Sequence, residues 1–332
     1  TPTLNKISLH QKFSIIICLY YYYLFNHLIS KFKPKTIISL DNAYIEGILF
    51  EIAKYYNIET YTGFDINLLT LHNYSSTESF KFHCRTPDYR FTDSLFKSKD
   101  YLRRAESFLK LRFSGHHNQH DAKRSFSKDK MQISRNNFIK KYNLNDNKPI
   151  VLITPHIFSD APHAYPNVIY KDYYCWFVDT LKVLDKNLNC NIVVKEHPSA
   201  ELYEELGYVY KIINKLELKN IKLVDNEINS FSLMKIVDTL ITCGGTSGME
   251  YAYSGTSVIV CASPPYINYD FVNRVDSIDE YHKLLQNITN LKKPNDIQRI
   301  LAGNLLYLFF NFYGIDKNSA KLNNYVINRG EE

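Results

Sequence analysis

The chain has no CxxC cysteine pair. Its six cysteines (Cys18, Cys84, Cys175, Cys190, Cys243 and Cys261) are scattered over 332 residues. That excludes a zinc-ribbon type of site, and a chain this long does not need disulfides. The cysteines are therefore expected as reduced thiols of a cytoplasmic protein, with Cys190 and Cys261 beside core strands. There is also no Lys/Arg stripe interleaved with aromatics. The net charge of +6 is diffuse; it argues against nucleic acid and leaves an anionic substrate or an anionic membrane surface. No GK[ST] follows the glycine-rich loop at Cys243–Gly248, which excludes P-loop ATP hydrolysis. No signal-peptide cleavage pattern follows the apolar run Phe13–Ile29. That run is broken by Ser14, Asn26 and His27, rich in tyrosine and short for a span, so a core or interfacial helix is expected. No internal repeat is visible.

What is present is an α/β alternation. Phe13–Lys31 reads as a helix stopped by Pro34, and Lys35–Leu40 as a buried strand. Ile45, Ile48, Leu49, Ile52 and Ala53 recur at helical spacing until Asn57, and Ile58–Thr62 is the next strand. Such a βαβ unit implies a parallel sheet. Asp100–Leu111 reads as a helix. The polar segment His116–Lys130 lacks periodicity and reads as a loop or linker, its histidines solvated rather than metal-binding. Alternation then resumes, with strands at Pro149–Thr154, Asn191–Lys195, Ile221–Val224, Thr239–Thr242 and Ser257–Val260. Helices are expected at Asn136–Tyr142, Asp172–Asp185, Ala200–Leu216, Ser230–Ile236 and Asn295–Tyr313. The pattern divides the chain into residues 1–130, residues 131–294, and a C-terminal segment, residues 295–332, whose helix is expected to pack back on the first domain.

Chemistry concentrates where strands end. After Thr239–Thr242 the loop Cys243-Gly244-Gly245-Thr246-Ser247-Gly248 opens directly into a helical pattern. Strand, glycine loop and helix together present backbone N–H groups to a phosphate. Gly244 and Gly245 permit a tight turn and close approach, with positive φ expected at Gly245. Thr246 and Ser247 can cap the helix and donate to phosphate oxygens. Glu250, about one turn in, is placed to accept from ribose hydroxyls. After Asn191–Lys195 comes Glu196-His197-Pro198. Pro198 holds His197 extended, beyond the sheet's carboxyl edge, where a histidine can donate to phosphate or move a proton. After Pro149–Thr154, a long loop carries His156, Asp160 and His163; Asp160 is either an acid/base group or a turn cap. Asp41, at the tip of the first strand, is either a cleft-facing acid or a helix N-cap.

KEHPS after one strand and GGTSGMEYAYSGTSVIV further on resemble bacterial surface-polysaccharide glycosyltransferases of the GT-B fold, in particular capsule-synthesis proteins of the Kdo-transferase and sialyltransferase kind. The resemblance spans Pro149 to about Tyr266. It implies an α/β GT-B-like fold, two Rossmann-like domains with parallel sheets facing a cleft. His197-Pro198 matches the family's His-Pro motif, and Thr246-Ser247 its later Ser/Thr motif. The resemblance implies a CMP-, UDP- or GDP-linked sugar donor held by Pro198, Thr246, Ser247 and Glu250; His156, His163, Lys195, Gly244 and Gly245, by their places at strand ends, are the further donor-binding candidates. Catalysis would fall to Asp160, His197 and Asp41, with Asp65 a further candidate base. It implies no cofactor and no essential metal, since helix N–H groups, His197 and Lys195 can stabilise the leaving group. The acceptor would be a growing glycan, free or lipid-linked, reached in the cytoplasm or at the inner face of the membrane. A nucleotide-sugar epimerase, a polyol-phosphate transferase and a non-catalytic nucleotide- or glycan-binding subunit are the alternatives.

Overall fold

The computed structural model describes residues 9–39, 44–63, 68–69, 71–74, 92, 95–116, 120–162, 168–311 and 315–316. The chain forms two compact units, Leu4–Cys84 with Leu308–Glu332, and Arg85–Tyr307 with Thr1–Thr3.

The smaller unit begins with α1 (Leu9–Phe32), followed by β1 (Thr36–Ser39), α2 (Tyr44–Tyr55), β2 (Glu59–Gly63), β3 (Leu68–Leu69) and β4 (Leu71–Tyr74). β1 and β2 pair in parallel, from Thr36 opposite Glu59 to Ser39 opposite Thr62. The βαβ unit expected from the hydrophobic spacing is present. α2 unwinds at Asn57, which takes a left-handed φ of 53°, a conformation asparagine tolerates better than most residues. β4 then adds antiparallel to β2, and β3 pairs antiparallel with Ile315–Asp316. Of the core and interfacial readings of the apolar run in α1, the core one is not met: Phe13, Ile16, Tyr20 and Tyr23 lie on the surface, and among its described residues only Ile29 is buried.

The larger unit holds α3 (Lys99–Phe113), α4 (His120–Ser125), α5 (Arg135–Tyr142), β5 (Ile150–Thr154), α6 (Tyr173–Leu184), β6 (Asn191–Lys195), α7 (Tyr208–Lys215), β7 (Ile221–Val224), α8 (Ser230–Ile236), β8 (Thr239–Thr242), α9 (Ser247–Ser254), β9 (Ser257–Val260), β10 (Asn273–Arg274), α10 (Ile278–Gln286) and the first part of α11 (Asp296–Asn311), whose residues from Leu308 on belong to the smaller unit. Strands β5, β6, β8 and β9 are short, nearly continuous apolar runs and almost fully buried. That is the signature of parallel strands covered on both faces. Every pairing in the six-stranded sheet is parallel. Its order is β10-β9-β8-β5-β6-β7. Counted from β5, this is the 3-2-1-4-5-6 order of doubly wound nucleotide-binding sheets, whose direction of winding reverses between the first and fourth strands. Here those strands are β5 and β8. Trp176, Phe177, Leu181 and Leu184 of α6 pack with Ile153, Val194 and Ile241 of the sheet in one core. Asp172 fixes the start of α6 by accepting from the Cys175 N–H at 2.7 Å.

Three further segments depart from the sequence reading. β1, expected as a buried strand, alternates exposed and half-buried residues, with Ile38 60% exposed. Residues expected as a loop around His116–Lys130 contain α4. The expected helix Ala200–Leu216 is split into a 3-10 turn, Ala200–Tyr203, and α7. Left-handed Glu204 (φ 58°) and Gly207 (φ 79°) end one piece and begin the next. The break frees Glu205 to turn its carboxylate onto the Phe158 and Ser159 N–H groups, at 2.7 and 2.8 Å.

Candidate functional site

The winding of the sheet reverses at the carboxyl ends of β5 and β8, where Thr154 stands opposite Thr242. Two neighbouring loops diverge at such a point and leave a crevice. A cavity of about 110 Å³ lies there, lined by Thr154–His156, Lys195–Pro198, Thr242, Gly245–Ser247 and Glu250, with Arg112, Asp121 and Phe126 from α3, α4 and the residue after it. Every lining residue belongs to the larger unit.

The glycine loop is held by side chains as well as by a backbone bond of its own, from the Gly248 N–H to the Gly245 carbonyl at 3.0 Å. The Gly244 N–H donates to His156 Nε2 at 3.1 Å, and the Gly245 N–H to Thr242 Oγ1 at 3.4 Å. The Tyr266 hydroxyl donates to the Gly245 carbonyl. A Cβ on Gly245 would stand 3.3 Å from both Thr242 Oγ1 and Ser247 Oγ. Close approach is therefore the reason for glycine here. The positive φ expected at Gly245 is absent, since the left-handed glycines among the described residues are Gly115, Gly207 and Gly255. Gly248 is required for another reason: a Cβ there would lie 2.7 Å from Tyr266 Cζ. Thr246 occupies the N-cap of α9 but makes no side-chain capping bond, contrary to the capping role expected of it. In the first turn of α9, besides that Gly248 bond, the Met249 and Glu250 N–H groups donate to the Thr246 carbonyl at 3.1 and 3.3 Å; the helix dipole favours an anion at this end. Thr154 Oγ1 and Ser247 Oγ face each other across the crevice at 3.5 Å.

The two histidines are neutral and present opposite tautomers. His156 is buried against the Tyr173 ring, with centroids 4.6 Å apart. Burial, then the nearby His197, pushes its pKa down to about 3. Its Nε2 accepts from Gly244, so its proton sits on Nδ1. His197 is also lowered by burial, against the opposing charges of Asp121, Asp160 and Glu205. Its Nδ1 accepts from the Ser199 N–H at 3.2 Å, which places the proton on Nε2. His156 thus orients the glycine loop, and His197 carries a fixed donor on a ring that lines the cavity. Ser199 is tied by its hydroxyl to Asp121, and Arg124 donates to the Pro198 carbonyl at 3.3 Å. α4 therefore braces the His-Pro turn.

Lys195 is buried and donates to the Ile228 carbonyl. Burial, then Lys130, lowers its pKa to about 7, with Glu227 opposing. Glu196 lines the cavity, and its Oε1 accepts from the Gly207 and Val209 N–H groups at 2.9 and 3.3 Å. Glu250 reaches the cavity, though not as the exposed side chain its helix position suggests. It is buried, and its Oε1 accepts from Arg112 Nε at 2.9 Å and from Arg112 Nη2. Asp160 is not among the lining residues; its charge is close enough to oppose the lowering of the His197 pKa. Asp41, Asp65 and His163 lie outside the described residues. Among the described residues, no three His, Cys, Asp or Glu side chains gather as a metal-holding group. Sequence reasoning missed Arg112, Asp121 and Tyr266, whose partners are distant in the chain.

A family model described as "Protein of unknown function (DUF354)" matches residues 110–318. The chain belongs to this family. The matched DUF354 region takes in the whole of the larger unit's sheet and every residue that lines the cavity. No curated protein sequence matches the chain. Among solved structures, the beta Kdo 2,7 transferase of Thermosulfurimonas dismutans KpsC is similar over 90% of this chain and 88% of that one, at 15% identity and a TM-score of 0.47. The beta Kdo 2,4 transferase of the same protein is similar over 77% of this chain and 74% of that one, at 15% identity and a TM-score of 0.46. Methanocaldococcus jannaschii UDP-GlcNAc 2-epimerase, in complex with UDP-GlcNAc and UDP, is similar over 86% of this chain and 78% of that one, at 12% identity and a TM-score of 0.39.

Proposed function

We propose that the cavity binds the phosphate of a nucleotide sugar and that the protein is a glycosyltransferase. The observation that carries this reading is the meeting, at the winding reversal of a parallel sheet, of a helix N-terminus, a glycine at a close-approach position, a neutral histidine donor and a lysine poised near neutrality. A phosphate seated at the start of α9 meets the positive end of the helix dipole and the Thr246 and Ser247 hydroxyls. When the glycosidic bond to phosphate breaks, negative charge grows on the departing oxygens. The Nε2–H of His197 and the ammonium of Lys195 are preorganised to meet it, in a site that needs no reorganisation at that moment. Glu250, held by Arg112, is left to position the donor's ribose. This reading requires no metal for leaving-group stabilisation. The acceptor is a surface glycan, and Asp160, Asp41 and Asp65 are the candidate bases. A GT-B arrangement of the two units and a cytoplasmic location belong to the same proposal.

The experiment is turnover of radiolabelled CMP-, UDP- and GDP-sugars by the full chain, with and without glycan acceptors and with and without EDTA. Acceptor-dependent release of free nucleotide, insensitive to EDTA, is expected. Conversion of the donor to an isomer without acceptor would show an epimerase instead. No turnover together with nucleotide binding would show a binding subunit.

A further inference from the structure

Three carboxylates line the cavity: Glu250, Glu196 and Asp121. Two of them are occupied. Glu250 is buried on Arg112, and the Glu196 Oε1 takes the Gly207 and Val209 N–H groups. Asp121 differs. Its Oδ1 accepts from the Ser199 hydroxyl, its side chain is 44% exposed, and its Oδ2 has no hydrogen-bond partner among the described residues. No lysine or arginine among the described residues neutralises it. Arg124, one turn on, donates to the Pro198 carbonyl at 3.3 Å and stands 3.8 Å from Glu201 instead. His120 Nδ1 is 4.0 Å from Asp121 Oδ1.

A carboxylate without a counter-ion repels a phosphate seated beside it, so anion binding alone gives no reason for one in this cavity. It stands close to the donor histidine. Ser199 links the two, with its hydroxyl on Asp121 and its N–H on His197 Nδ1 at 3.2 Å. Asp121 is also the foremost of the charges that oppose the lowering of the His197 pKa. The Ser199 bond holds one carboxylate oxygen and leaves the other with lone pairs to take a proton. Of the bases legible in the sequence, Asp160 does not line the cavity, and Asp41 and Asp65 lie outside the described residues. We propose that Asp121 is the base that activates the acceptor hydroxyl, an assignment that rests on the glycosyltransferase reading. The proton of the acceptor hydroxyl passes to Asp121 Oδ2 as that hydroxyl's oxygen forms the new bond to the anomeric carbon. The bond from this carbon to the phosphate oxygen breaks, and its electron pair stays on the phosphate, where the His197 Nε2–H and Lys195 meet it.

The test is Asp121→Asn in the full chain. Asparagine keeps an oxygen for the Ser199 hydroxyl and removes the base, so circular dichroism should be unchanged. With radiolabelled CMP-, UDP- and GDP-sugars and glycan acceptors, kcat should fall at least roughly a hundredfold. By calorimetry CMP, UDP or GDP should bind the variant no more weakly than the parent. Sodium formate should restore part of the activity of Asp121→Ala, a rescue that a brace would not show. Ser199→Ala, which removes the tether and keeps the carboxylate, should lose less kcat than Asp121→Asn. A folded Asp121→Asn with the parent's kcat would overturn the assignment. So would an equal loss in Ser199→Ala with no formate rescue of Asp121→Ala, since Asp121 would then only brace the His-Pro turn. Absence of turnover by the parent with all three classes of sugar nucleotide is a separate failure: it would remove the glycosyltransferase reading, and the assignment with it.

Discussion

His197 and His156 differ by one hydrogen bond each, and that difference assigns their roles. A ring whose Nδ1 is occupied by the Ser199 N–H can only donate from Nε2. His197→Ala should therefore leave the fold intact and lower kcat by about 2–4 kcal/mol in transition-state stabilisation, with a smaller change in KM. Steady-state kinetics with circular dichroism checks it; a folded variant with unchanged kcat/KM would remove His197 from the mechanism. His156 should instead show in stability. Its folded pKa is lowered to about 3 by burial, while the unfolded imidazole titrates near 6.5. Between those values the unfolded chain binds the extra proton, so stability declines as pH falls from about 6.5 toward about 3. The slope from this group is at most about 1.4 kcal/mol per pH unit. Urea unfolding across that window should show a shallower acid loss in His156→Gln than in the parent. Equal slopes would mean that the ring is not buried as neutral imidazole.

At the scale of elements, α3 is tied to α9 by a buried ion pair between residues 138 positions apart, Arg112 and Glu250. Removing one partner strands a buried charge. Arg112→Leu should cost about 3–5 kcal/mol, whereas the double change with Glu250→Leu should recover much of that loss. A double-mutant cycle by chemical denaturation measures the coupling, and simple additivity would contradict it. Elements of this kind also mark what was legible in the sequence. The strands around the site could be read because parallel strands buried on both faces are unbroken apolar runs. The glycine loop and the His-Pro turn could be placed because each directly follows such a run. α4 could not, because a short helix rich in charge has no apolar period to detect. The split before α7 was hidden because the sequence continues at helical spacing while Glu204 and Gly207 turn left-handed. Arg112, Asp121 and Tyr266 act through tertiary contacts, which no local spacing encodes. The sequence left α1 open between core and interface, because an apolar helix reads the same whether it is buried or at a surface.

At the scale of the whole molecule, the larger unit holds a complete candidate phosphate site at the winding reversal of its sheet. The central claim is that this site takes a nucleotide, and isothermal titration calorimetry of the full chain with CMP, UDP and GDP tests it most directly. The comparison is Gly245→Val, whose branched side chain would meet Thr242 Oγ1 and Ser247 Oγ where a Cβ alone already stands at 3.3 Å. The account predicts saturable binding of one nucleotide to the parent and a loss of at least roughly tenfold in affinity, about 1.4 kcal/mol, in a variant that remains folded. Absence of binding to all three nucleotides, or equal affinity in Gly245→Val, would contradict it.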